Sequence, residues 1–270
     1  MAGRVGTGSG QDSARNSISL QGMSTLADSS EIRTAVVTGA GSGIGQAVAV
    51  ALGRAGLQVT LVGRDVGKLE ATRALVGRDD IRLESCDVAD AAAVDRLADR
   101  VLAQTGGGVD VLVCNAGTNV RDRALAKLSI ADWDRMIATN LSGAFHLVRA
   151  FLPAMRERRD GLIIQVCSIA GLRASVLGGV GYSASKFGQA ALGIGIGLEA
   201  GVDMVRSSVI YPGEVNTPIL ANRPIPVSQE RKDAILQPED VAAAVRFLVD
   251  LPPRAHVPEL VIKPTVDAWA

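Results

Sequence analysis

The sequence predicts one doubly wound α/β domain, a parallel sheet with helices on both faces, and three observations carry that prediction. Short β-branched apolar runs alternate with longer stretches of helical character from Thr34 onward. The runs are continuous in Val, Leu and Ile, as strands covered on both faces are, and do not alternate with polar residues. A glycine-rich turn, Gly39-Ala40-Gly41-Ser42-Gly43-Ile44-Gly45, separates the first run from the first helical stretch. Strand, glycine turn and helix in succession are what a dinucleotide-binding loop requires.

Taken in order, Thr34–Thr38 reads as the first strand and residues 44–55 as its helix. Val59–Val62 is the second strand, followed by a helix over 66–76. Ile81–Glu84 and a helix over 90–104 come next, then Val109–Cys114 and one long helix over 130–157. Leu162–Ser168 is the fifth strand, with a helix over 181–200, and Val205–Ile210 is the sixth. A helix over 238–250, with Pro238 tolerated in its first turn, leads to the seventh strand, Leu260–Ile262. Right-handed crossovers turn this alternation into a doubly wound sheet. Residues 1–31 differ: they are rich in Gly and Ser, lack an apolar periodicity and lack the hydrophobic stretch of a secretory signal. They read as a disordered tail or as an overlong start upstream of Met23, with Arg4 and Arg15 a faint trace of an organelle transit segment, and 32–270 as a single catalytic domain.

Composition excludes several classes of function. Hydrophobic content of 47% is ample for a core, and with only 3% aromatic residues that core is built from Ala, Val, Leu and Ile. A formal net charge of zero gives no electrostatic reason to expect nucleic acid or an anionic membrane as partner. No apolar run approaches the length of a membrane span. Cys86, Cys114 and Cys167 are odd in number and lack CxxC spacing, so they read as reduced core residues of a chain in a reducing, cytoplasmic compartment. His146 and His256 lack the partners of a metal or nucleophilic site, and no metal is expected.

The chemistry concentrates elsewhere. Tyr182 and Lys186 stand four residues apart in a helical stretch, which puts phenol and ammonium on one helix face. Free tyrosine titrates near ~10, and an adjacent cation favours phenolate and draws that value toward neutrality. The glycine loop supplies the other half of a site. Gly39 turns the chain, Gly43 and Gly45 allow close approach to a pyrophosphate, and the helix N-terminus presents free N–H groups.

Thr38-Gly39-x-x-x-Gly43-Ile44-Gly45, Asn115-Ala116-Gly117, Ser168, Tyr182-x-x-x-Lys186 and Pro212-Gly213 occur in one order along the chain. In this the sequence resembles the short-chain dehydrogenases/reductases from about Arg33 to about Pro264. The resemblance implies strand order 3-2-1-4-5-6-7, with the ligand at the carboxyl ends of the strands. It implies an oxidoreductase that exchanges hydride between a nicotinamide and a carbonyl or secondary alcohol carbon. Tyr182 then acts as general acid/base, Lys186 lowers its pKa and holds the nicotinamide ribose, Ser168 steadies the substrate oxygen, and Asn140 holds a water of the proton relay. A buried amide that satisfies backbone groups is a second reading of Asn140.

For the cofactor, the resemblance places Gly39, Gly41, Ser42, Gly43, Ile44 and Gly45 on the pyrophosphate and Asn115, Ala116 and Gly117 on the adenosine side. Asp87 accepts from the adenine amine with Val88 beside the ring. Pro212, Gly213, Val215 and Thr217 flank the nicotinamide. The position after the second strand that usually carries an acid is Gly63, and Arg64 follows it, which points to the 2′-phosphate of NADP(H). NAD(H) stays open, because Asp65 lies at the spacing of a ribose-binding acid and Ser42 stands where some NADP enzymes have Arg. Asp65 also suits the N-cap of the next helix, and Asp87 a cap for 90–104. Glu214 reads as a solvated surface acid, with a place facing the substrate as its second reading, and Ser228 to Arg231, after Pro224 and Pro226, as a mobile lid. Gly193, Gly195 and Gly197 mark close contact of their helix with the sheet or with a second subunit, and a homodimer or homotetramer is expected. A catalytically silent dinucleotide sensor or scaffold is the alternative function, reduction of an activated C=C bond a third. The substrate, a small molecule, stays open among 3-oxoacyl thioesters, 3-hydroxy acids, sugars and xenobiotic ketones.

Overall fold

The computed structural model describes residues 1–3 and 33–267, so the tail expected over 1–31 lies, apart from its first three residues, outside the described part. Seven strands form one sheet: β1 (Thr34–Thr38), β2 (Gln58–Gly63), β3 (Arg82–Ser85), β4 (Val111–Cys114), β5 (Gly161–Val166), β6 (Val205–Pro212) and β7 (Glu259–Ile262). Every pairing is parallel. The order is β3-β2-β1-β4-β5-β6-β7, as the resemblance implies, and the chain reverses its direction of travel between β1 and β4. That switch point is where a doubly wound sheet opens a crevice for a ligand.

Side chains alternate across each strand. Val37, Val111, Val113 and Ile164 face one layer, where α1 (Gly43–Arg54), α2 (Val66–Val76) and α8 (Pro238–Asp250) bring Leu52, Leu69 and Val245. Val36, Leu112 and Ile163 face the other, where α3 (Ala91–Gln104), α5 (Gly143–Arg158) and α6 (Val180–Ala200) bring Leu97, Phe151 and Ile196. Both faces of the central strands are dry, which is why β1 and β4 carry no polar alternation, while the edge strands β3 and β7 stay partly exposed.

The helices that begin at Val66, Ala91, Ile130 and Gln229 start at a short acid or hydroxyl that caps their first turn. Asp65 caps α2 by accepting from Lys68 N at 3.2 Å. Asp90 caps α3, not Asp87 as the sequence allowed. The single helix expected over 130–157 is broken in two. α4 (Ile130–Ile137) and α5 are joined by a π turn, Ala138–Ser142, a wider winding that recurs at functional sites. The polar stretch taken for a mobile lid holds a short helix, α7 (Gln229–Ala234), capped by Ser228. In α6 a Cβ at Gly193 would lie 2.5 Å from Val209 Cγ2, so this glycine lets the helix sit on the sheet, while a Cβ at Gly195 meets nothing within 4 Å. The three cysteines are buried and free, and burial pushes the Cys114 thiol up to about 12. His146 and His256 bond backbone oxygens of Val88 and Ser207.

Candidate active site

A cavity of about 890 Å³ opens over the carboxyl ends of the strands. At its floor Gly39 turns the chain with φ +65, a left-handed conformation that glycine adopts freely. Gly45, one turn into α1, has no room for a side chain, since a Cβ there would lie 2.3 Å from Gly39 O and 2.4 Å from Asn115 Nδ2. Gly45 therefore packs behind the loop, whereas Gly39, Gly41, Ser42, Gly43 and Ile44 line the cavity. Ser42 makes no side-chain cap bond on α1, which leaves the first-turn N–H groups for another acceptor.

Asn115 and Thr38 staple β4 to β1 at the point where the sheet divides. Asn115 Nδ2 donates to Thr38 O at 2.9 Å, and the backbone N–H groups of Asn115 and Ala116 donate to Thr38 Oγ1. Asn115, Ala116 and Gly117 line the cavity as well, so the segment is both wall and fastening. Beyond β2, Arg64 is exposed and pairs with Asp87 at 3.7 Å. Asp65, the rival acid, is committed to the α2 cap and to Lys68 at 3.6 Å. Lys68 also lines the cavity, its stem against Gly41. The sequence reading passed over it, although one turn of helix beyond Arg64 brings it to the same end. Val88 lines the cavity and is buried against Gly143. Pro212, Gly213, Val215 and Thr217 line the opposite end, with Thr217 against Gly43.

Ser168, Tyr182 and Lys186 share the same cavity. Ser168 follows β5, and its Oγ accepts from Ala170 N at 3.1 Å and lies beside the Tyr182 phenol. Tyr182 and Lys186 project from the first two turns of α6, with Lys186 Nζ 5.8 Å from the Tyr182 ring centre. The ammonium donates to Val166 O at 3.1 Å and to Gln189 Oε1 at 2.7 Å. Gln189 is another residue the sequence reading missed, though three residues beyond Lys186 on a helix is a legible neighbour.

The electrostatics correct one expectation. Burial pushes the Tyr182 phenol up to about 12, with the Ser168 hydroxyl and, more weakly, the Arg123 charge pulling against it. Burial also lowers the pKa of Lys186. The ammonium is turned into the Val166 and Gln189 acceptors and does not bring the phenol toward neutrality. Desolvation of the phenolate outweighs the nearby charge, so Tyr182 is a protonated phenol at physiological pH.

Asn140 lies in the π turn, fully buried, outside the cavity lining. Its Oδ1 accepts from Thr118 N at 2.7 Å, and its Nδ2 donates to Thr118 O at 3.0 Å and Ser185 Oγ at 2.9 Å. The side-chain amide is thus spent on protein groups, as its second reading had it. Glu214 is a correction too: it is 8% exposed and paired with Arg223 at 2.8 Å and Arg231 at 2.6 Å. Arg231 also reaches Asp267 at 2.6 Å, so α7 is moored to the cavity rim.

The family model for the short chain dehydrogenases matches residues 33–226. The chain belongs to the short-chain dehydrogenase family. Among its relatives is an uncharacterised oxidoreductase of Staphylococcus aureus, 33% identical over 86% of this chain and 97% of that protein. An alcohol dehydrogenase of the archaeon Thermococcus sibiricus, solved with 5-hydroxy-NADP, is 32% identical with a TM-score of 0.79 over 89% of this chain and all of that one. A metagenomic short-chain oxidoreductase in complex with NADP is 35% identical with a TM-score of 0.74 over 87% and 98%. This short-chain dehydrogenase is an NAD(P)-dependent oxidoreductase of CH–OH and C=O groups. Among the described residues of the dehydrogenase no cluster of His, Cys, Asp or Glu could hold a metal, and no helix is long and apolar enough to cross a membrane.

Proposed function

We propose that the chain transfers hydride between NADP(H) and a carbonyl or secondary alcohol, with Tyr182 moving the proton. The observation that carries the reading is one cavity lined both by the glycine loop and by Ser168, Tyr182 and Lys186. The loop suits a dinucleotide: Gly39, Gly41 and Gly43 line the cavity without side chains, below a helix N-terminus with no side-chain cap. Residues 39 and 41–44 would hold the pyrophosphate, Asp87 and Val88 the adenine, Arg64 with Lys68 the 2′-phosphate, and Pro212, Gly213, Val215 and Thr217 the nicotinamide end. When bound, the cofactor supplies or accepts the hydride.

The chain's own groups do the rest. Ser168 Oγ, fixed by Ala170 N, steadies the substrate oxygen as negative charge grows on it. Tyr182, a neutral phenol, holds the proton that passes to that oxygen in the reductive direction. Lys186, held by Val166 and Gln189, keeps a cation behind the phenol. NADP(H) is favoured over NAD(H) by the Arg64–Lys68 pair of cations and by the use of Asp65 as a helix cap. The α6 stripe Phe187, Ile194 and Leu198, 44%, 42% and 79% exposed, supports association into a homodimer or homotetramer. The neutral charge speaks against nucleic acid or an anionic membrane as partner, and three free thiols fit a cytoplasmic compartment. The test is oxidation of NADPH and of NADH against a panel of carbonyl compounds, with a Tyr182→Phe control. Equal or better use of NADH would refute the Arg64 assignment.

A further inference from the structure

The substrate end of the cavity holds a cation that the proposed mechanism leaves unused. Arg123 lines the cavity and is 7% exposed. Its Nε donates to Val120 O at 2.9 Å, its Nη1 to Leu177 O at 2.9 Å and its Nη2 to Asn222 O, so it clasps three loops. A guanidinium carries five N–H donors, and these bonds leave one on each terminal nitrogen. Its partners are all carbonyl oxygens. Among the described residues no carboxylate pairs with it, whereas its neighbour Arg223 is matched by Glu214 at 2.8 Å. Arg223 and the Tyr182 phenol both lie near Arg123. A buried charge without a counterion is costly, and arginine does not shed its proton at physiological pH.

We propose that the substrate brings the missing anion: a carboxylate on Arg123, with the reacting carbon of the same molecule toward Tyr182. The planar fork suits a carboxylate, which can take one N–H from each terminal nitrogen. The substrate class is then an oxo acid and its hydroxy acid. In the reductive direction the carbonyl carbon gains a hydride from NADPH, the C=O π bond breaks, and the oxygen takes the Tyr182 proton. The carboxylate passes through unchanged. This assignment rests on the oxidoreductase reading of the cavity, and it adds an ionic selectivity that the sequence pattern did not show.

Binding, not turnover, is the measurement, so the result stands whatever becomes of the proton-transfer assignment. The full chain saturated with NADP⁺ is titrated calorimetrically with pyruvate, acetoacetate and levulinate and with the methyl ester of each. The expected result is that at least one acid binds about tenfold or more tighter than its ester. Arg123→Gln should remove that preference and Arg123→Lys, which keeps the charge without the fork, should reduce it severalfold. Esters that bind as tightly as acids in every pair would overturn the proposal in the wild-type protein alone, even if a variant failed to fold. A preference that survives in folded Arg123→Gln would overturn it as well. Absence of NADPH-dependent turnover with selective acid binding would instead strike the function proposed above.

Discussion

Gly193 and Gly195 stand two residues apart in α6, and alanine at each should move stability in opposite directions. In a helix interior alanine is favoured over glycine by about 1 kcal/mol, a gain common to both substitutions. At Gly195 the new Cβ meets nothing within 4 Å, whereas at Gly193 it would lie 2.5 Å from Val209 Cγ2 and 3.0 Å from Gln165 Cγ. Val209 is fully buried in β6 and β-branched, so its rotamer is stiff. Gln165 is tied to Gln189 by a 3.1 Å hydrogen bond, so it yields no more easily. Overpacking of this kind costs roughly 1–3 kcal/mol. The propensity gain cancels in the comparison, leaving Gly193→Ala about 1–3 kcal/mol less stable than Gly195→Ala. At this chain length each kcal/mol moves Tm by roughly 2–4 °C. Calorimetry on both variants at one protein concentration reads the difference, the fixed concentration excluding a contribution from association. Equal stabilities, or a more stable Gly193→Ala, would refute the packing argument. A less stable Gly195→Ala with a smaller light-scattering mass would instead place that open surface against a second copy.

Tyr182→Phe should lower turnover by orders of magnitude while NADPH affinity, read by fluorescence titration, stays nearly unchanged; a fully active variant would overturn the mechanism. With the phenol pushed up to about 12, the protonated form that reduction uses is present below that value and lost only above it. Carbonyl reduction should therefore stay flat from about pH 7 to about pH 10, while alcohol oxidation, which needs the phenolate, rises across that range; a fall in the reductive rate near neutrality would contradict the burial argument. Arg64→Gln should weaken NADPH binding by roughly tenfold and leave NADH nearly unaffected, and unchanged discrimination would remove Arg64 from the 2′-phosphate. The thiol of Cys114, buried and off the cavity lining, should react with a thiol reagent only after denaturant is added, and fast labelling of Cys114 in the native chain would deny its place in the core.

The seven strands and their order were legible because an apolar run between turn residues leaves little choice of structure, and because the motif order implied the topology. The helix interruption at Ala138 was not, since Ala138-Thr139-Asn140-Leu141-Ser142 keeps a helical composition and only the tertiary partners of Asn140 set its wider winding. Asp87 and Asp90 both suited a helix cap by residue type, and three residues of backbone decided between them. At the site, the meeting of Ser168 and Tyr182 in one cavity was legible because each sits at one strand end or on one helix face. The burial of Glu214 was not: its two arginines arrive from residues 223 and 231, and nothing in its own neighbourhood announces a buried acid. The pKa of Tyr182 failed for a related reason. Spacing places a cation near the phenol but says nothing of which acceptors that cation turns toward or how dry the wall is.

The π turn between α4 and α5 has a rotational consequence. One residue added to a helix swings everything beyond it by about 100° about the axis. Before the turn, Trp133 and Met136 press against Gly181 at the start of α6. After it, Leu147 and Phe151 point into the layer shared with α3. Deleting Thr139 would restore even winding, swing the amide at 140 away from Thr118 and Ser185, and bring α5's apolar side out of line with the sheet. The surplus residue is an angular offset built into one rod, and it lets a single segment brace the start of α6 with one half while the other half closes the core.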